Sequence, residues 1–330
     1  MPESTYMVVD PRRDHSIRIP RPDLSDKLKS PNACNKCHSD KSNTWAADWC
    51  LTWYGDPDRN GSHYGEVFWA GRQAYPEALP ELIRLVDDPE SAPMVKATAL
   101  SLLQNYQDPS VIRTLQKSLN DPDPLIRYAA VTALFAADEN TLLELALPRL
   151  NDSVRLIRIT AAFQLARVPA EYLGKMGVRR REKVLEEYVQ SQMINADHPS
   201  AHMNLGILSL NQGNHAGAES YYKKATEIEP AMTTAYINLA DLYRVMNRDQ
   251  EGEQILREAI ERGPDMAAVN YALGLNLVRK GAHDEAMIYL EQASGMDPEN
   301  ARYAYVYGVG LHSTGKQQEA IEHLEKALIE

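Results

Sequence analysis

The residues best suited to chemistry lie near the N-terminus of the chain, in the run Cys34-Asn35-Lys36-Cys37-His38. Two cysteines at this spacing can each form a thioether with one vinyl group of a haem, and the imidazole that follows them is a suitable axial ligand for the iron. The spacing is strict and the residue types are uncommon. The motif therefore predicts one covalently bound haem c, anchored by Cys34 and Cys37 and ligated by His38.

A structural zinc site is the main alternative for this motif. Such a site usually takes four protein ligands, commonly supplied as two pairs. The chain has three cysteines, and the one outside the motif is Cys50. A single cysteine pair favours haem c over zinc. Cys50 is expected to be a small buried hydrophobic residue.

Three tryptophans follow the motif at intervals of four, at Trp45, Trp49 and Trp53. This spacing places the indoles on one face of a helix that begins near Ser42 or Asn43. Aromatic side chains bury a large area each, and a haem offers a wide apolar surface. We predict that Trp45 and Trp49 contact the porphyrin; the alternative is that the stripe packs on the rest of its domain.

The sixth position of the iron decides what the haem could do. His15, His63 and several methionines are available for it. Two histidine ligands would leave no position for a substrate, so the haem would only transfer electrons. An open position would permit peroxide, nitric oxide or nitrogen oxyanion chemistry, but no convincing distal acid or base is found, which favours electron transfer and a non-enzymatic role. Prolines make the first thirty residues, including His15, an irregular segment.

A helical repeat follows from about residue 76. The pairs Val95-Lys96, Ile126-Arg127 and Ile157-Arg158 are equally spaced along the chain, and similar runs of small and apolar residues follow each pair. Turn-forming pairs, Asn120-Asp121 and Asn151-Asp152, recur at the same interval. The pattern predicts three short HEAT-type helix pairs over residues 76–170, stacked as an α-solenoid.

A second and slightly longer repeat occupies residues 199–330. Small residues at fixed positions allow two antiparallel helices to approach closely. They recur as Gly206, Ala240, Gly274 and Gly308, and again as Ala218, Gly252, Ala286 and Ala320. The pattern is similar to the tetratricopeptide repeat (TPR) except for its leading tryptophan, and it predicts four repeats. The first helices should line a concave groove for a protein or peptide. Candidate lining residues are His202, Asn204, Tyr236, Asn238 and Asn270.

Residues 171–198 separate the two arrays, and we expect a linker and a capping helix there. Glycines and a proline place the connector over residues 168–177. The helix should run from Val178 to Asn195. Tyr188 precedes Tyr222 by one full period of the second repeat, so the helix occupies the position of a half-repeat. The predicted domains are thus a haem-binding segment (1–75), HEAT-like repeats (76–170), this linker and four TPRs.

Charge and hydropathy limit the partners and the location. The formal charge of the 330-residue chain is −11, and residues 197–330 carry eleven basic and twenty acidic side chains. Nucleic acid requires a basic face, so it is not an expected partner. Without a run of eighteen apolar residues, no transmembrane segment is expected. Covalent haem attachment implies export to the periplasm or beyond. Because Met1–Thr5 lacks the pattern of a signal peptide, we expect a processed, truncated or split chain.

Several N-terminal segments together carry a family resemblance. Asp14-His15-Ser16-Ile17, Pro31-Asn32-Ala33-Cys34 and Trp45-Ala46-Ala47, with the repeats behind them, resemble the last haem-binding segment of bacterial multihaem c-type cytochromes fused to HEAT and tetratricopeptide repeats. The resemblance implies that His15 is the distal ligand, either of this haem or of a neighbouring one. Such proteins carry several Cys-x-x-Cys-His motifs and this chain has one, so other cytochromes or redox proteins are expected to supply further haems.

These observations predict an all-α electron-transfer cytochrome. Its one haem would be held by two histidines, His38 and His15, with His63 as a weaker alternative ligand, and the solenoid would dock it to partner proteins. Two other functions stay open: a haem-bearing subunit or fragment of a multihaem oxidoreductase, and an interaction scaffold whose haem is structural.

Overall fold

The computed structural model describes residues 3–6, 10–13, 21–55, 63–263 and 267–327. The chain divides into two compact units, Met1–Ala161 and Ala162–Glu330. Apart from one hairpin, the regular structure in the described ranges is helical, which confirms the all-α class. Within those ranges, every helix is too short or too polar to cross a membrane.

The N-terminal segment contains more regular structure than its prolines suggest. Strands β1 (Glu3–Tyr6) and β2 (Asp10–Arg13) pair antiparallel, with Thr5 opposite Pro11. The prediction of an irregular segment is therefore wrong here. A two-stranded ribbon leaves one side of each strand unpaired, so a residue without an N–H group is tolerated. Four helices follow: α1 (Asp23–Leu28), α2 (Cys34–Cys37), α3 (Asn43–Tyr54) and α4 (Tyr64–Arg72).

The shorter, HEAT-type repeat is present as consecutive helix pairs. The second helices of the pairs start at Pro93, Pro124 and Arg155, so the predicted interval is observed. Proline suits the first turn of a helix because the N–H that it lacks would have no partner there. The helices are α5 (Ala78–Asp87), α6 (Pro93–Leu103), α7 (Pro109–Ser118), α8 (Pro124–Ala133), α9 (Glu139–Leu145) and α10 (Arg155–Leu165), with short 3-10 helices at Leu134–Ala136 and Leu147–Asn151.

An arginine joins successive HEAT-type pairs. The Nε and Nη2 atoms of Arg127 donate to the two carboxylate oxygens of Asp152 at 2.9 and 3.1 Å, and Nη1 donates to the carbonyl of Asp121. Both side chains of the ion pair are largely buried. Such a bidentate pair fixes orientation as well as distance. The turn residues of one repeat are thereby held to the second helix of the repeat before it.

One long helix precedes the TPR-type repeats. Helix α11 (Ala170–Met193) is non-helical only at Gly174, where φ is 63°. The predicted connector over 168–177 is therefore mostly helical, because one glycine with a positive φ can redirect the chain without a loop. Arg181 donates to the carbonyls of Leu165 and Val168 at 2.9 and 2.7 Å. Burial raises the pKa of Tyr188 to about 12. Such burial is expected if Tyr188 occupies the position in its half-repeat that Tyr222 occupies in the first full repeat.

The described residues of the second unit form four further helix pairs. Each pair begins about 34 residues after the last, as the sequence predicts. The pairs are α12 (Pro199–Asn211) with α13 (His215–Ile228), α14 (Thr233–Val245) with α15 (Asp249–Arg262), α16 (Ala267–Arg279) with α17 (His283–Met296), and α18 (Ala301–Ser313) with α19 (Gln317–Ala327).

Small residues on the first helix of each pair lie under a large residue of the second. A β-carbon on Gly206 would lie 2.5 Å from Cδ1 of Tyr222, and one on Gly274 would lie 2.7 Å from Cγ of Leu290. The pair with alanine at this position, Ala240, has Leu256 in the same hydrophobic cluster. A small residue on the first helix thus leaves room for a large side chain on the second.

Charged groups connect the first two TPR-type pairs. The carboxylate of Glu219 accepts from Arg248 Nη1 at 2.7 Å, from Lys223 Nζ at 2.7 Å and from Tyr243 Oη at 3.0 Å. The guanidinium of Arg248 also lies over the ring of Tyr243, 4.5 Å from its centre. These hydrogen bonds, above all the one with Arg248, hold the pKa of Glu219 at about 2.

Two glycine substitutions test the helix packing. Gly206→Ala should lower the free energy of unfolding by about 1–3 kcal/mol, because the added methyl group overlaps the ring of Tyr222. Gly295→Ala is the matched control, since a β-carbon there meets no atom within 4 Å. It should raise stability by up to about 1 kcal/mol through helix propensity. Urea unfolding followed by circular dichroism measures both, and equal effects at the two sites would contradict the packing argument.

The Glu219 cluster predicts a defined dependence of stability on pH. Because the folded pKa of about 2 lies below the ordinary value of 4.5, its contribution is fully present above pH 4.5 and is lost as the pH falls towards 2. Glu219→Gln should reduce the free energy of unfolding at pH 7 by about 2 kcal/mol. It should also make the free energy of unfolding depend less on pH between 4.5 and about 2. Glu227→Gln, in an exposed pair with Lys224, should change neither in urea titrations across this range.

Candidate functional site

Polar side chains fix the first three helices to one another. Asp26 on α1 accepts from Asn43 Nδ2 at 3.1 Å and from Thr44 Oγ1 at 3.0 Å, at the start of α3. Ser42 caps α3 by accepting the N–H of Trp45 at 3.0 Å. Helix α3 therefore begins at the position that the sequence predicts, and α1 holds its first turn.

The Cys-x-x-Cys-His motif forms a single helical turn. The N–H of His38 donates to the carbonyl of Cys34 at 2.9 Å, so α2 closes at the histidine. Residues three apart lie on the same side of a helix. Cys37 and His38 are exposed, whereas Cys34 is half-buried. The turn thus presents two free thiols and one imidazole within a short distance along the chain.

Two asparagines hold the loops around α2. Asn32 Nδ2 donates to Asn43 Oδ1 at 2.8 Å, and Asn32 Oδ1 accepts the N–H of Asn35 at 3.1 Å. On the other side, Asn35 Nδ2 donates to the carbonyl of Lys41 at 2.6 Å. The motif is therefore anchored by side-chain amides on both sides, and little apolar core supports it.

The indoles form an aromatic stripe along α3. The ring of His38 lies 5.0 Å from the ring of Trp45, centre to centre and tilted by 53°. Further along the helix, Trp49 lies 5.4 Å from Trp53. Exposure rises along the stripe: Trp45 is half-buried, while Trp49 is 43% and Trp53 is 64% exposed. The stripe is therefore most covered beside His38 and most exposed at its far end.

The alternative ligand His63 has a structural role at the start of α4. Its Nδ1 accepts the N–H of Gly65 at 3.1 Å, and Glu66 accepts the N–H of His63 at 3.3 Å, which completes a capping box. The ring also stacks on Tyr64 at 4.2 Å. An unprotonated Nδ1 puts the ring proton on Nε2. Binding iron through Nε2 would move that proton to Nδ1 and break the cap.

The structure describes Cys50 but not His15. His15 lies outside the described residues. Cys50 is half-buried. Burial, followed by the proximity of Cys34 and Asp23, raises the pKa of the Cys50 thiol. Cys50 is thus less buried than the sequence predicts, because its helix packs little of its surface and Ala46 is the one residue of α3 that is buried.

The residues present fit a covalently bound haem. Two free thiols lie on one helical turn, an exposed imidazole follows them, and the indole of Trp45 contacts that imidazole. Two more indoles, Trp49 and Trp53, are exposed further along α3. A zinc site would need about four converging ligands. In the described ranges, no group of three or more histidine, cysteine or acidic side chains comes together to hold a metal ion. Haem c needs only His38 from this cluster, since its anchors are the cysteines.

The candidate groove residues of the second unit fall into two groups. His202, Tyr236 and Asn270 are buried, so the structure assigns them to packing between helices. His202 Nε2 lies 2.9 Å from the carbonyl oxygen of Ala196. Asn204 and Asn238 are half-buried, and Asn204 donates to Gln192 at 2.9 Å. The register of the repeat could not separate the groups, because it gives the position in a repeat and not the depth of burial.

Sequence reasoning missed three side chains that position the motif. Asp26, Asn32 and Asn35 hold α2 and the start of α3 in place. The available signal was local: asparagine and aspartate commonly hydrogen-bond to nearby backbone at turns and helix starts. The partners that these three residues contact, however, are set by tertiary packing.

Family models match both arrays. A model described as HEAT repeats matches residues 90–166, and tetratricopeptide repeat models match residues 182–232, 209–275, 267–300 and 289–330. The chain therefore carries HEAT repeats followed by tetratricopeptide repeats. Solenoids of this kind present extended surfaces that bind other proteins, so the repeats form a protein-interaction scaffold.

The individual relatives are distant. The protein O-mannosyl-transferase TMTC3 of Mus musculus is 31% identical, and that of Homo sapiens is 30% identical, each over 113 residues. The matches cover 30% of this chain and 12% of each curated relative. This chain thus spans about an eighth of their length.

Solved structures match the chain at low similarity. MamA is 23% identical over 44% of this chain and 85% of that chain, with a TM-score of 0.38. MamA from Desulfovibrio magneticus RS-1 is 18% identical over 51% and 93%, with a TM-score of 0.37. YrrB, titled a TPR protein with an unusual peptide-binding site, is 20% identical over 58% and 92%, with a TM-score of 0.33.

Two substitutions of His63 test its capping role. His63→Ala should lower the free energy of unfolding by about 1 kcal/mol, because the first turn of α4 loses an acceptor. His63→Asn keeps a side-chain oxygen at the cap and should retain most of that stability. Thermal unfolding of both variants measures the difference. An asparagine variant as unstable as the alanine variant would show that the imidazole itself is required.

Proposed function

We propose that this chain is an electron-transfer c-type cytochrome, with one haem c carried on a protein-interaction solenoid. The observation that supports the proposal most is the joint arrangement of Cys34, Cys37 and His38 on one turn, with the indole of Trp45 against His38. The haem, when bound, supplies one-electron transfer at its iron.

The cysteines and the histidine of the motif would hold the haem in different ways. The thiols of Cys34 and Cys37 would hold the haem as thioethers, and the imidazole of His38 would ligate its iron. The indole of Trp45 limits the orientations open to the His38 ring through their contact. Trp45 and Trp49 offer apolar surface to the porphyrin, and covering that surface contributes favourable free energy as water is released.

His15 is the proposed second axial ligand. The family resemblance supports this assignment. The role of His63 as a helix cap favours His15 further, since ligation by His63 would disrupt α4. With two histidines on the iron, no site for a substrate remains, which suits an electron carrier better than an enzyme. His63 stays the weaker alternative.

The repeats suggest which partners the haem segment would meet. The arrays would dock it to other cytochromes or redox proteins, which could supply neighbouring haems, and the TPR groove would take a protein or peptide segment. Covalent haem attachment further suggests maturation in the periplasm or outside the cell. A scaffold with a purely structural haem is the second candidate, because the family models match the repeats.

The haem claim is tested by producing the chain in a host that exports it and attaches haem c. A pyridine haemochrome spectrum should give one covalently bound haem per chain, and Cys34→Ala combined with Cys37→Ala should abolish it. No haem in the exported chain would overturn the proposal.

Binding of carbon monoxide and cyanide to the haem iron then distinguishes the candidate functions. Six-coordinate iron held by two histidines should resist carbon monoxide and cyanide, whereas His15→Ala should open a position for both. Ready binding to the unaltered chain would favour the oxidoreductase subunit. An unchanged six-coordinate spectrum in His15→Ala would show that another residue is the ligand. A haem that no redox reagent reduces reversibly would favour the scaffold.

A further inference from the structure

A cavity of 640 Å³ lies in the first unit, between helix α4 and the turn that precedes α6. Aromatic rings line it on the α4 side: His63 stacks on Tyr64, and the ring of Tyr64 lies 5.6 Å from that of Phe68. The turn contributes two carboxylates, those of Asp88 and Glu90. Among the lining residues that the structure describes, none is a lysine or an arginine. The cavity is therefore both aromatic and acidic.

The two carboxylates have different roles in the turn. Asp88 accepts the N–H of Glu90 at 3.0 Å and the hydroxyl of Ser91 at 2.9 Å. These hydrogen bonds, above all the one from the N–H, lower the pKa of Asp88. Lys96 and Arg84 add smaller effects without lining the cavity. The Glu90 side chain is exposed, and no hydrogen bond or ion pair within the described residues engages its carboxylate, so this carboxylate is available to a partner.

The turn before α10 shows what an acidic turn of this array binds. Arg127 of α8 donates through two nitrogens to the carboxylate of Asp152, 25 residues further along the chain. The same interval before Glu90 falls on Gly65, at the start of α4. Helix α4 contacts α6 as α6 contacts α8, but Gly65 has no side chain to reach the turn. The equivalent of Arg127 is therefore missing at the turn before α6.

A second arginine of the chain shows the same chemistry with an aromatic ring. Arg248 donates to the carboxylate of Glu219 at 2.7 Å, while its guanidinium lies 4.5 Å from the centre of the Tyr243 ring. A planar guanidinium can do both, because its N–H groups point outward in the plane and its faces remain free to stack. The cavity beside α4 offers the same two groups, the carboxylate of Glu90 and the ring of Tyr64. Its chemistry therefore matches an arginine side chain.

We propose that this cavity binds an arginine side chain of a partner protein, with the guanidinium paired with Glu90 and stacked on the wall formed by Tyr64 and Phe68. Exposed Met94 and half-buried Val95 also line the cavity, and they suit an apolar residue next to the arginine. A lysine fits less well, because its ammonium cannot form a bidentate pair or stack flat on a ring. The site goes beyond the function proposed above and needs no haem. It gives the first unit a docking site of its own for protein partners.

Peptide binding to the full chain tests the proposal. The probe is a fluorescein-labelled Gly-Leu-Arg-Leu-Gly peptide, followed by fluorescence polarisation. The same peptide with citrulline in place of arginine keeps the shape but loses the charge, and it should bind at least about tenfold more weakly. A peptide with lysine at this place should bind several-fold more weakly than the arginine peptide. Equal binding of the citrulline or the lysine peptide would overturn the assignment to arginine, as would an absence of binding by all three.

Two substitutions that each remove one negative charge locate the binding. Glu90→Gln should weaken binding of the arginine peptide about tenfold, and it should leave the fold intact because this carboxylate holds no other group of the described chain. Glu139→Gln is the matched control, since Glu139 is an exposed residue of the same unit that does not line the cavity. It should leave binding unchanged. Equal losses in the two variants would mean attraction by net charge alone and would contradict the site.

A third substitution, Tyr64→Leu, tests the aromatic wall. Leucine keeps an apolar side chain at this position but has no π face, so the preference for arginine over citrulline should become smaller. An unchanged preference would show that the ring takes no part in binding and would overturn that part of the proposal. Thermal unfolding of the variant checks that α4 keeps its fold. Since none of these measurements uses the haem, their failure is distinct from a failure of the haem claim.

Discussion

The close approach of antiparallel helices is the constraint on which each TPR-type pair depends. Gly206 leaves room for the ring of Tyr222, and Gly274 leaves room for Leu290, so each pair fits only if a small residue faces a large one. Protein interiors are close-packed, and an added methyl group there must displace a neighbour. The same positions recur in each repeat, so one local rule of side-chain size produces the whole array.

The segment around the Cys-x-x-Cys-His motif is built on a different principle. Its helices are short, and hydrogen bonds from Asp26, Asn32 and Asn35 hold them rather than a shared apolar core. Trp49 and Trp53 remain substantially exposed. Small segments have difficulty burying enough apolar surface by themselves. A covalently attached porphyrin would supply the missing apolar partner, which connects the proposed chemistry to the stability of the segment.

The acidity of the second unit is partly structural. Glu219 is paired with Arg248 of the next repeat, Asp249 with Arg279, and Glu253 with Lys280. Pairing across repeats adds orientation to the contacts made by apolar side chains. Part of the negative charge that makes nucleic acid an unexpected partner therefore stabilises the junctions between repeats.

The sequence by itself determined the repeats and the motif. The period of each repeat fixes which positions are small and where helices begin, and the spacing of Cys34, Cys37 and His38 limits the chemistry, because both are local properties of the chain. It could not show that Pro11 lies in a strand, that His202 is buried, or that His63 caps a helix. Those facts depend on which residues distant in sequence pack together, and only the tertiary structure decides that.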